Sequence, residues 1–275
     1  MFVTVDNRLR LPPDASPELM KRLREVTTHA NPDYGKKRAL GQWVGSTPRT
    51  VVTWRKEPDG SLSLPRGATM RLRAIADQLG LEVRFRDCRV SAPVEWGPFL
   101  TTPRSYQVES REACVLHEQG IVRAPTGSGK TTTALAVLPE LGQRSLVIVR
   151  DKNLLQQWRE RAERELGLPL RELGVVRDGK RTVGERLTVA LHQTLYSEKF
   201  PLESFARQFG AVIVDEVHEA AARTVNETVD AFAARARLGF SADHTRRDRK
   251  EFLVHDLFGE VIHEVRRLAL ATSAQ

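Results

Sequence analysis

The rhythm of apolar and polar positions changes near residue 100. Beyond it, short unbroken runs of Val, Ile and Leu alternate with stretches of helical period. Gly120-Ile121-Val122-Arg123 reads as a strand leading into a glycine-rich loop, and the periodic run Thr131 to Leu141 follows it. Ser145 to Val149 is a second compact strand, ahead of the amphipathic segment Lys152 to Glu165. Leu187 to Leu191, Ala211 to Val214 and a short run around Leu238 to Phe240 are further predicted strands, with a helical stretch from Ala222 to Arg235. Strands that are apolar throughout and separated by helices belong to a parallel sheet covered on both faces. This part of the chain is expected to be α/β.

The first hundred residues pattern differently. Phe2 to Val5 alternates as a strand, Pro17 to Glu25 has helical spacing, as does Ala68 to Leu79, and Leu81 to Phe85 alternates again. Thr50 to Lys56, then Pro58-Asp59-Gly60, then Ser61 to Leu64 reads as a hairpin whose Asp-Gly pair supplies the positive-φ turn. Ala39 to Arg55 also fits a helix-turn-helix, with Gly45-Ser46 as its turn and Arg49 to Arg55 facing a groove. The β-branched run Thr50-Val51-Val52-Thr53 favours the strand. Between the two patterns lie Ser91-Ala92-Pro93, Gly97-Pro98 and Thr101-Thr102-Pro103, too rich in proline for a helix or a central strand. The expected organisation is a small α+β domain over 1–90, a linker over 91–104 and a larger domain over 105–275.

Composition adds location and charge. Apolar residues form 40% of the chain, enough for a real core. No segment approaches the roughly 20-residue apolar run of a membrane span, and Met1 to Arg10 lacks the apolar stretch of a secretory signal. Cys88 and Cys114 lie in unrelated contexts, as expected of ordinary thiols in a reducing compartment rather than a zinc site. A cytoplasmic protein is expected, without a membrane partner, nucleoid-associated if bacterial or else phage-encoded. The net charge of +8 is uneven: residues 1–100 carry 17 Lys/Arg against 11 Asp/Glu, and the remainder 26 against 24. A basic surface on the first domain would attract phosphate backbones by counterion release; a plain solvated face would look the same.

Candidate chemistry centres on Ala124-Pro125-Thr126-Gly127-Ser128-Gly129-Lys130-Thr131. Phosphate oxygens need several backbone N–H groups aimed inward, and glycines let the chain curl that tightly. The helix beginning there turns its unpaired amides and positive end toward the same anion. Lys130 is then placed to reach the β- and γ-phosphates of ATP, and Thr131 to ligate magnesium through its hydroxyl, with Thr132 beside them. The general pattern opens on glycine, where this chain has Ala124. Val212-Ile213-Val214-Asp215-Glu216-Val217-His218 sets two acids at the end of a second apolar strand, 85 residues after Lys130. The carboxyl edge of such a sheet is where ligands bind. Asp215 suits magnesium and Glu216 the orientation or deprotonation of an attacking water.

These residues resemble a family. Asp215-Glu216-Val217-His218 resembles the DExH box of superfamily 2 helicases, and Ala124 to Thr131 their Walker A loop. Arg104-Ser105-Tyr106-Gln107 is similar to the element upstream of that loop; the resemblance implies that Arg104 and Gln107 touch nucleotide, Gln107 at the adenine edge. Leu146 to Trp158 looks like motif Ia, and Thr188 to Leu195 like the following strand and loop that touch a nucleic-acid backbone. Through them the resemblance implies DNA contacts at Arg150, Gln193 and Thr194. Arg237 to Ala242 resembles motif III, which implies that Ser241 and Ala242, with His218, couple ATP state to DNA contact. Leu257 to Ile262 is similar to the phenylalanine-glycine segment of XPB-like and phage-repair helicases, and Asn31 to Tyr34 and Leu64 to Gly67 to elements of their N-terminal domain.

The resemblance implies a RecA-like P-loop NTPase lobe with ATP and Mg²⁺ as cofactors, duplex or branched DNA as partner, and a DNA-dependent ATPase or helicase activity. It departs from the pattern at Arg150-Asp151, where motif Ia has Pro-Thr, and at Asp243-His244, which follow Ser241-Ala242. It also implies a second RecA-like lobe, in another chain or missing from this one, so that these 275 residues alone would bind ATP, turn it over slowly and not unwind duplex. Two other expectations fit the same motifs. One is a non-enzymatic DNA-binding module switched by ATP; the other is the motor subunit of a restriction or phage-defence system. The tryptophans at 43, 54, 96 and 158 are expected to pack rather than stack on bases.

Overall fold

A computed structural model describes residues 1–217, 223–242 and 250–266, and its contacts divide the chain into two compact units. The first unit contains β1 (Phe2–Val5), β2 (Arg8–Leu11), α1 (Pro17–Val26), β3 (Thr28–Ala30), α2 (Pro32–Ala39), β4 (Thr50–Val52), β5 (Arg55–Lys56), β6 (Leu62–Pro65), α3 (Thr69–Gln78) and β7 (Arg84–Asp87). One sheet runs in the order β5-β6-β2-β1-β7, and β3 pairs with β4 in a separate ribbon. Val3, Leu9, Leu11, Leu62 and Leu64 on the strands meet Leu19, Leu23, Leu72 and Ile75 on α1 and α3, all fully or nearly buried. Ser16 caps α1 through its hydroxyl, and proline follows at the first helical position, where its missing N–H costs nothing.

Of the predicted hairpin only Arg55–Lys56 pairs with β6 across the expected turn; Thr50–Val52 leaves it to form a separate strand, not a groove-facing helix. The β-branched run outweighed the helix-turn-helix pattern. Its partner is Thr28–Ala30, a strand too short for its alternation to show in the sequence.

One helix of this unit comes from late in the chain. Glu251–Phe258 packs on the turn Arg66–Ala68, so that a Cβ at Gly67 would lie 1.9 Å from the His255 carbonyl oxygen. Its Asp256 is buried among His29, Thr53 and Arg71: Asp256 Oδ2 lies 2.9 Å from His29 Nε2 and accepts from Thr53 Oγ1 at 2.5 Å, while Oδ1 accepts from Arg71. Burial alone would raise this carboxyl; the hydrogen bond from His29 and the Arg71 charge outweigh it and hold it below its ordinary range. Lys250, at the start of the helix, pairs with Asp33 at 2.7 Å. Residues 105–275 are expected to form a single domain; residues 250–259 instead fold with the first unit. Only long-range contact reveals this, because Glu251–Phe258 is as good a helix in either setting.

The second unit begins with an extended stretch that lacks helices, as its prolines require, yet is tied down. Val94 N–H donates to Gly142 O, Leu100 N–H to Glu165 O, and the Trp96 indole to Gln143 O. Then follow α4 (Ser105–His117), β8 (Gln119–Arg123), α5 (Lys130–Leu141), β9 (Ser145–Val149), α6 (Lys152–Leu166), β10 (Gly174–Arg177), β11 (Lys180–Thr182), β12 (Leu187–Leu191), α7 (His192–Leu195), α8 (Leu202–Ala206), β13 (Ala211–Val214), α9 (Arg223–Asp230), β14 (Ala236–Ser241) and β15 (Val261–Glu264). Among the described residues the sheet has eight strands in the order β11-β10-β12-β9-β13-β14-β8-β15. Every neighbouring pair is parallel except β10 with β11. This is the mostly parallel α/β sheet that the unbroken apolar strands predict. Val147, Val149, Leu187, Val189, Ile213, Leu238 and Phe240 are buried between helices, with Leu135, Leu138, Leu155, Trp158 and Ala162 covering them.

Cys114 is buried and Cys88 exposed, both as free thiols, and burial pushes the Cys114 thiol up to about 12. Among the described residues, no helix is long and apolar enough to cross a membrane.

Candidate active site

A parallel sheet sends all its carboxyl ends to one edge. The strands β8, β9, β12, β13 and β14 run the same way, so the segments that follow them share that edge. Those segments are the loop 124–129, Arg150, Gln193-Thr194, Asp215-Glu216 and Ser241-Ala242. Every described site residue predicted to follow a strand is therefore at one edge. β8 and β13 flank β14, with the loop on one side of it and the acids on the other. His218 and Asp243-His244 lie outside the described residues.

The loop is held by its own turn and by its neighbours. Ser128 N–H donates to Pro125 O at 3.1 Å, and Ala124 N–H to Ser241 O at 3.0 Å. Gly127 and Gly129 have φ of 85° and 80°, where a side chain is disfavoured. Pro125 and Ser128 are buried, while Thr126 and Gly127 face outward with nothing within 4 Å of the Gly127 Cβ position. The Ser128 hydroxyl is buried without a hydrogen-bond partner among the described residues. From Lys130 onward the chain is helical, so the first amides of α5 lack intrahelical acceptors. Half-buried Thr131 and Thr132 sit in that first turn, and Arg161 of α6 donates to the Thr132 hydroxyl at 3.1 Å.

Lys130 and the acids meet. Lys130 Nζ is 3.3 Å from Glu216 Oε1 and 3.4 Å from Ala124 O, with only 9% of its side chain exposed. Glu216 takes a left-handed backbone, φ 51°, uncommon outside glycine and typical of sites where the surroundings dictate geometry. That turn lets Glu216 N–H donate to Asp215 Oδ1 at 2.9 Å and Val217 N–H to Phe240 O at 2.9 Å. Asp215 is buried, and its Oδ2 accepts from the Trp158 indole at 2.7 Å. Burial pushes the Asp215 carboxyl above its ordinary range and the Glu216 charge adds to this, against the Trp158 hydrogen bond and the Lys130 charge.

Upstream, α4 presents Tyr106 and Gln107, both buried, to the loop. Gln107 Nε2 donates to Ser128 O at 3.1 Å and its Oε1 accepts from Arg104 N–H at 2.8 Å. Exposed Arg104 donates to the Tyr106 hydroxyl, which donates to Ser128 O at 3.1 Å. The Gln107 amide is thus committed to the loop backbone in this structure.

The candidate nucleic-acid residues are simpler. Arg150 is exposed and pairs with Asp151, while Asp151 caps α6 by accepting from Asn153 and Leu154 N–H. The departure from Pro-Thr therefore has a local structural use. Gln193 is exposed; Thr194 is buried with its hydroxyl unpartnered.

Sequence reasoning missed Trp158, Tyr106 and Arg161 as site residues. A fully buried indole calls for an N–H acceptor, a hint in itself. Its partner, however, is 57 residues away and invisible to helical periodicity.

The model of the family described as Type III restriction enzyme, res subunit, matches residues 100–246, more than half of the chain. The chain belongs to that family. Among curated relatives, "Probable helicase D10" of Escherichia phage T5 is 27% identical over 189 residues, covering 67% of this chain and 40% of its own length. "DNA 3'-5' translocase XPB2" of Sulfurisphaera tokodaii is 29% identical over 160 residues, covering 58% of this chain and 35% of its own. The chain thus spans well under half the length of either relative. The UvsW helicase of bacteriophage T4 superposes with a TM-score of 0.69 at 16% identity, over 96% of this chain and 100% of that one, and shares its fold. The expected XPB-like and phage helicase kinship holds.

Proposed function

We propose that this chain is the ATP- and magnesium-binding motor lobe of a DNA helicase or translocase. The observation that carries the proposal is the meeting of Lys130 with Glu216 beside a loop built on Gly127 and Gly129. The residues fit a triphosphate with its metal. Positive-φ glycines and unpaired first-turn amides suit phosphate oxygens, and the buried, unpartnered Ser128 hydroxyl suits a polar ligand. Among the described residues no group of three or more His, Cys, Asp or Glu could hold a metal. Magnesium takes one or two protein oxygens and completes its shell with water and phosphate. Thr131 and Asp215 would hold it, and when bound it neutralises charge on the transferring phosphoryl group.

The chain's own groups then divide the work. The Trp158 indole and the Glu216 amide fix both oxygens of Asp215, so its orientation is set before any ligand arrives. Lys130 supplies positive charge at the phosphates, with the backbone of residues 125–129 and Thr132 around it. Glu216, paired with Lys130 here, is placed to orient an attacking water and accept its proton at a carboxylate oxygen. Gln107 and Arg104 brace the loop through Ser128 and Tyr106, and a shift of the Gln107 amide off the loop would let them contact the nucleotide. Val217, hydrogen-bonded to Phe240, links the acid turn to Ser241 and Ala242, the route by which nucleotide state would reach DNA. Arg150, Gln193 and Thr194 would meet the DNA backbone from the same edge.

The domain roles follow: residues 1–88 with the returning segment 250–259 as a basic module touching duplex or branched DNA, and residues 89–242 with 260–266 as the motor lobe. Full activity, on this reading, needs a second RecA-like lobe. The test is ATP turnover with and without DNA, in wild type and in Glu216→Gln. Turnover that DNA stimulates and that falls at least about 100-fold in the variant, with Mg-ATP affinity kept, supports the proposal. Equal turnover in both proteins would remove Glu216 from the chemistry.

A further inference from the structure

The first unit exposes an aromatic platform inside its most basic stretch. From Tyr34 to Lys56 there are six Lys or Arg residues and no Asp or Glu. α2 buries none of its side chains and carries Lys36, Lys37 and Arg38 in its last turn. Immediately after it, Trp43 is 88% exposed and Leu40 61%. Trp43 is expected to pack, yet most of its surface faces water, an unusual setting for so large an apolar ring.

Nor is the ring loosely attached. Gly45 has φ 51°, and a Cβ there would lie 2.8 Å from Trp43 Cζ3 and 3.0 Å from Cη2. The ring thus lies beside Gly45, and the absence of a side chain at 45 leaves room for it. The loop is braced around it: Gln42 N–H donates to Lys37 O at 2.8 Å, Thr47 N–H to Val44 O at 3.0 Å, and Lys37 Nζ to Thr47 Oγ1 at 2.9 Å. At its far end Asn31 binds Pro48 O and Arg49 O, and the Arg49 guanidinium sits 5.8 Å over the Tyr34 ring.

We infer that Trp43 is a stacking platform for an unpaired nucleic-acid base, with Lys36, Arg38 and Arg49 taking the neighbouring phosphates. An exposed flat ring accepts any base, because every base has a π-face. The surrounding charge supplies the sequence-independent attraction of the backbone. A base still paired inside blunt duplex cannot offer its face, so the platform selects single strands, forks and junctions. The inference rests on the motor reading only in taking DNA as the polymer.

The test uses the 275-residue chain and fluorescein-labelled single-stranded, forked and blunt-duplex DNA, with affinity measured by anisotropy across a salt series. Trp43→Ala is expected to weaken single-strand and fork binding roughly 5- to 100-fold, leaving blunt-duplex affinity and the slope against salt unchanged. The double variant Lys36→Glu, Arg38→Glu is expected to flatten the salt slope on all three DNAs. Because Trp43 is exposed, its replacement leaves the fold intact, which circular dichroism verifies. Unchanged single-strand and fork binding in Trp43→Ala overturns the inference while leaving the motor reading standing. So does an equal loss on blunt duplex. An effect confined to self-association in sedimentation would make the patch a protein interface and overturn it too. If wild type binds none of the three DNAs, the motor reading fails with it.

Discussion

At the scale of single residues, the molecule is governed by where charge is buried and what answers it. Asp215 is nearly inaccessible, so each of its oxygens depends on a fixed donor: the Trp158 indole for one, the Glu216 amide for the other. Trp158→Phe removes one donor and leaves a buried carboxylate oxygen without its partner. A stability loss of about 2 kcal/mol is expected from chemical denaturation. The specific signature is a higher magnesium concentration for half-maximal nucleotide binding, since Asp215 is no longer aimed. A variant that is only less stable, with an unchanged magnesium requirement, would make Trp158 a packing residue and nothing more. Much at this scale was legible beforehand. Lys130, Asp215 and Glu216 stood out because phosphate and metal chemistry demands those side chains after those strands. Trp158 and Tyr106 did not, because each contributes one polar atom to a partner set by tertiary folding.

Among the elements, the returning helix Glu251–Phe258 carries the largest departure from the sequence reading. Its helicity was readable; its address in the first unit was not, since that depends on Asp256 meeting His29, Thr53 and Arg71. The same interaction gives it a pH signature. Asp256 has a lowered folded pKa, so its contribution is fully present above its unfolded value of about 3.9 and is lost as pH falls through the folded value. Asp256→Ala should cost about 3 kcal/mol at neutral pH. The difference from wild type should shrink steadily below about pH 4. A difference that stays constant to low pH would show that the helix is held by packing rather than by this carboxylate. Five strands of the large sheet fell close to their predicted limits because they are apolar throughout, whereas Gly174–Arg177, Lys180–Thr182 and Val261–Glu264 were not predicted. The strand Thr28–Ala30 is too brief to show alternation; Arg8–Leu11 does alternate and was overlooked.

For the whole molecule, parallel strand order does most of the functional work. It converts motifs scattered over more than a hundred residues into neighbours along one sheet edge, as the alternation of apolar strands and helices already implied. The basic surplus of the first hundred residues likewise acquires a place, the stretch around α2 and Trp43. Everything proposed for the motor depends on the loop at 124–129 and the acids at 215 and 216 serving one ligand. Calorimetric titration of ATP into the folded chain, with and without magnesium and in Lys130→Ala, tests this most directly. The account predicts binding that requires magnesium and that Lys130→Ala abolishes or weakens at least about 100-fold. Binding that ignores magnesium and survives the loss of Lys130, or no binding to the intact protein, would contradict it.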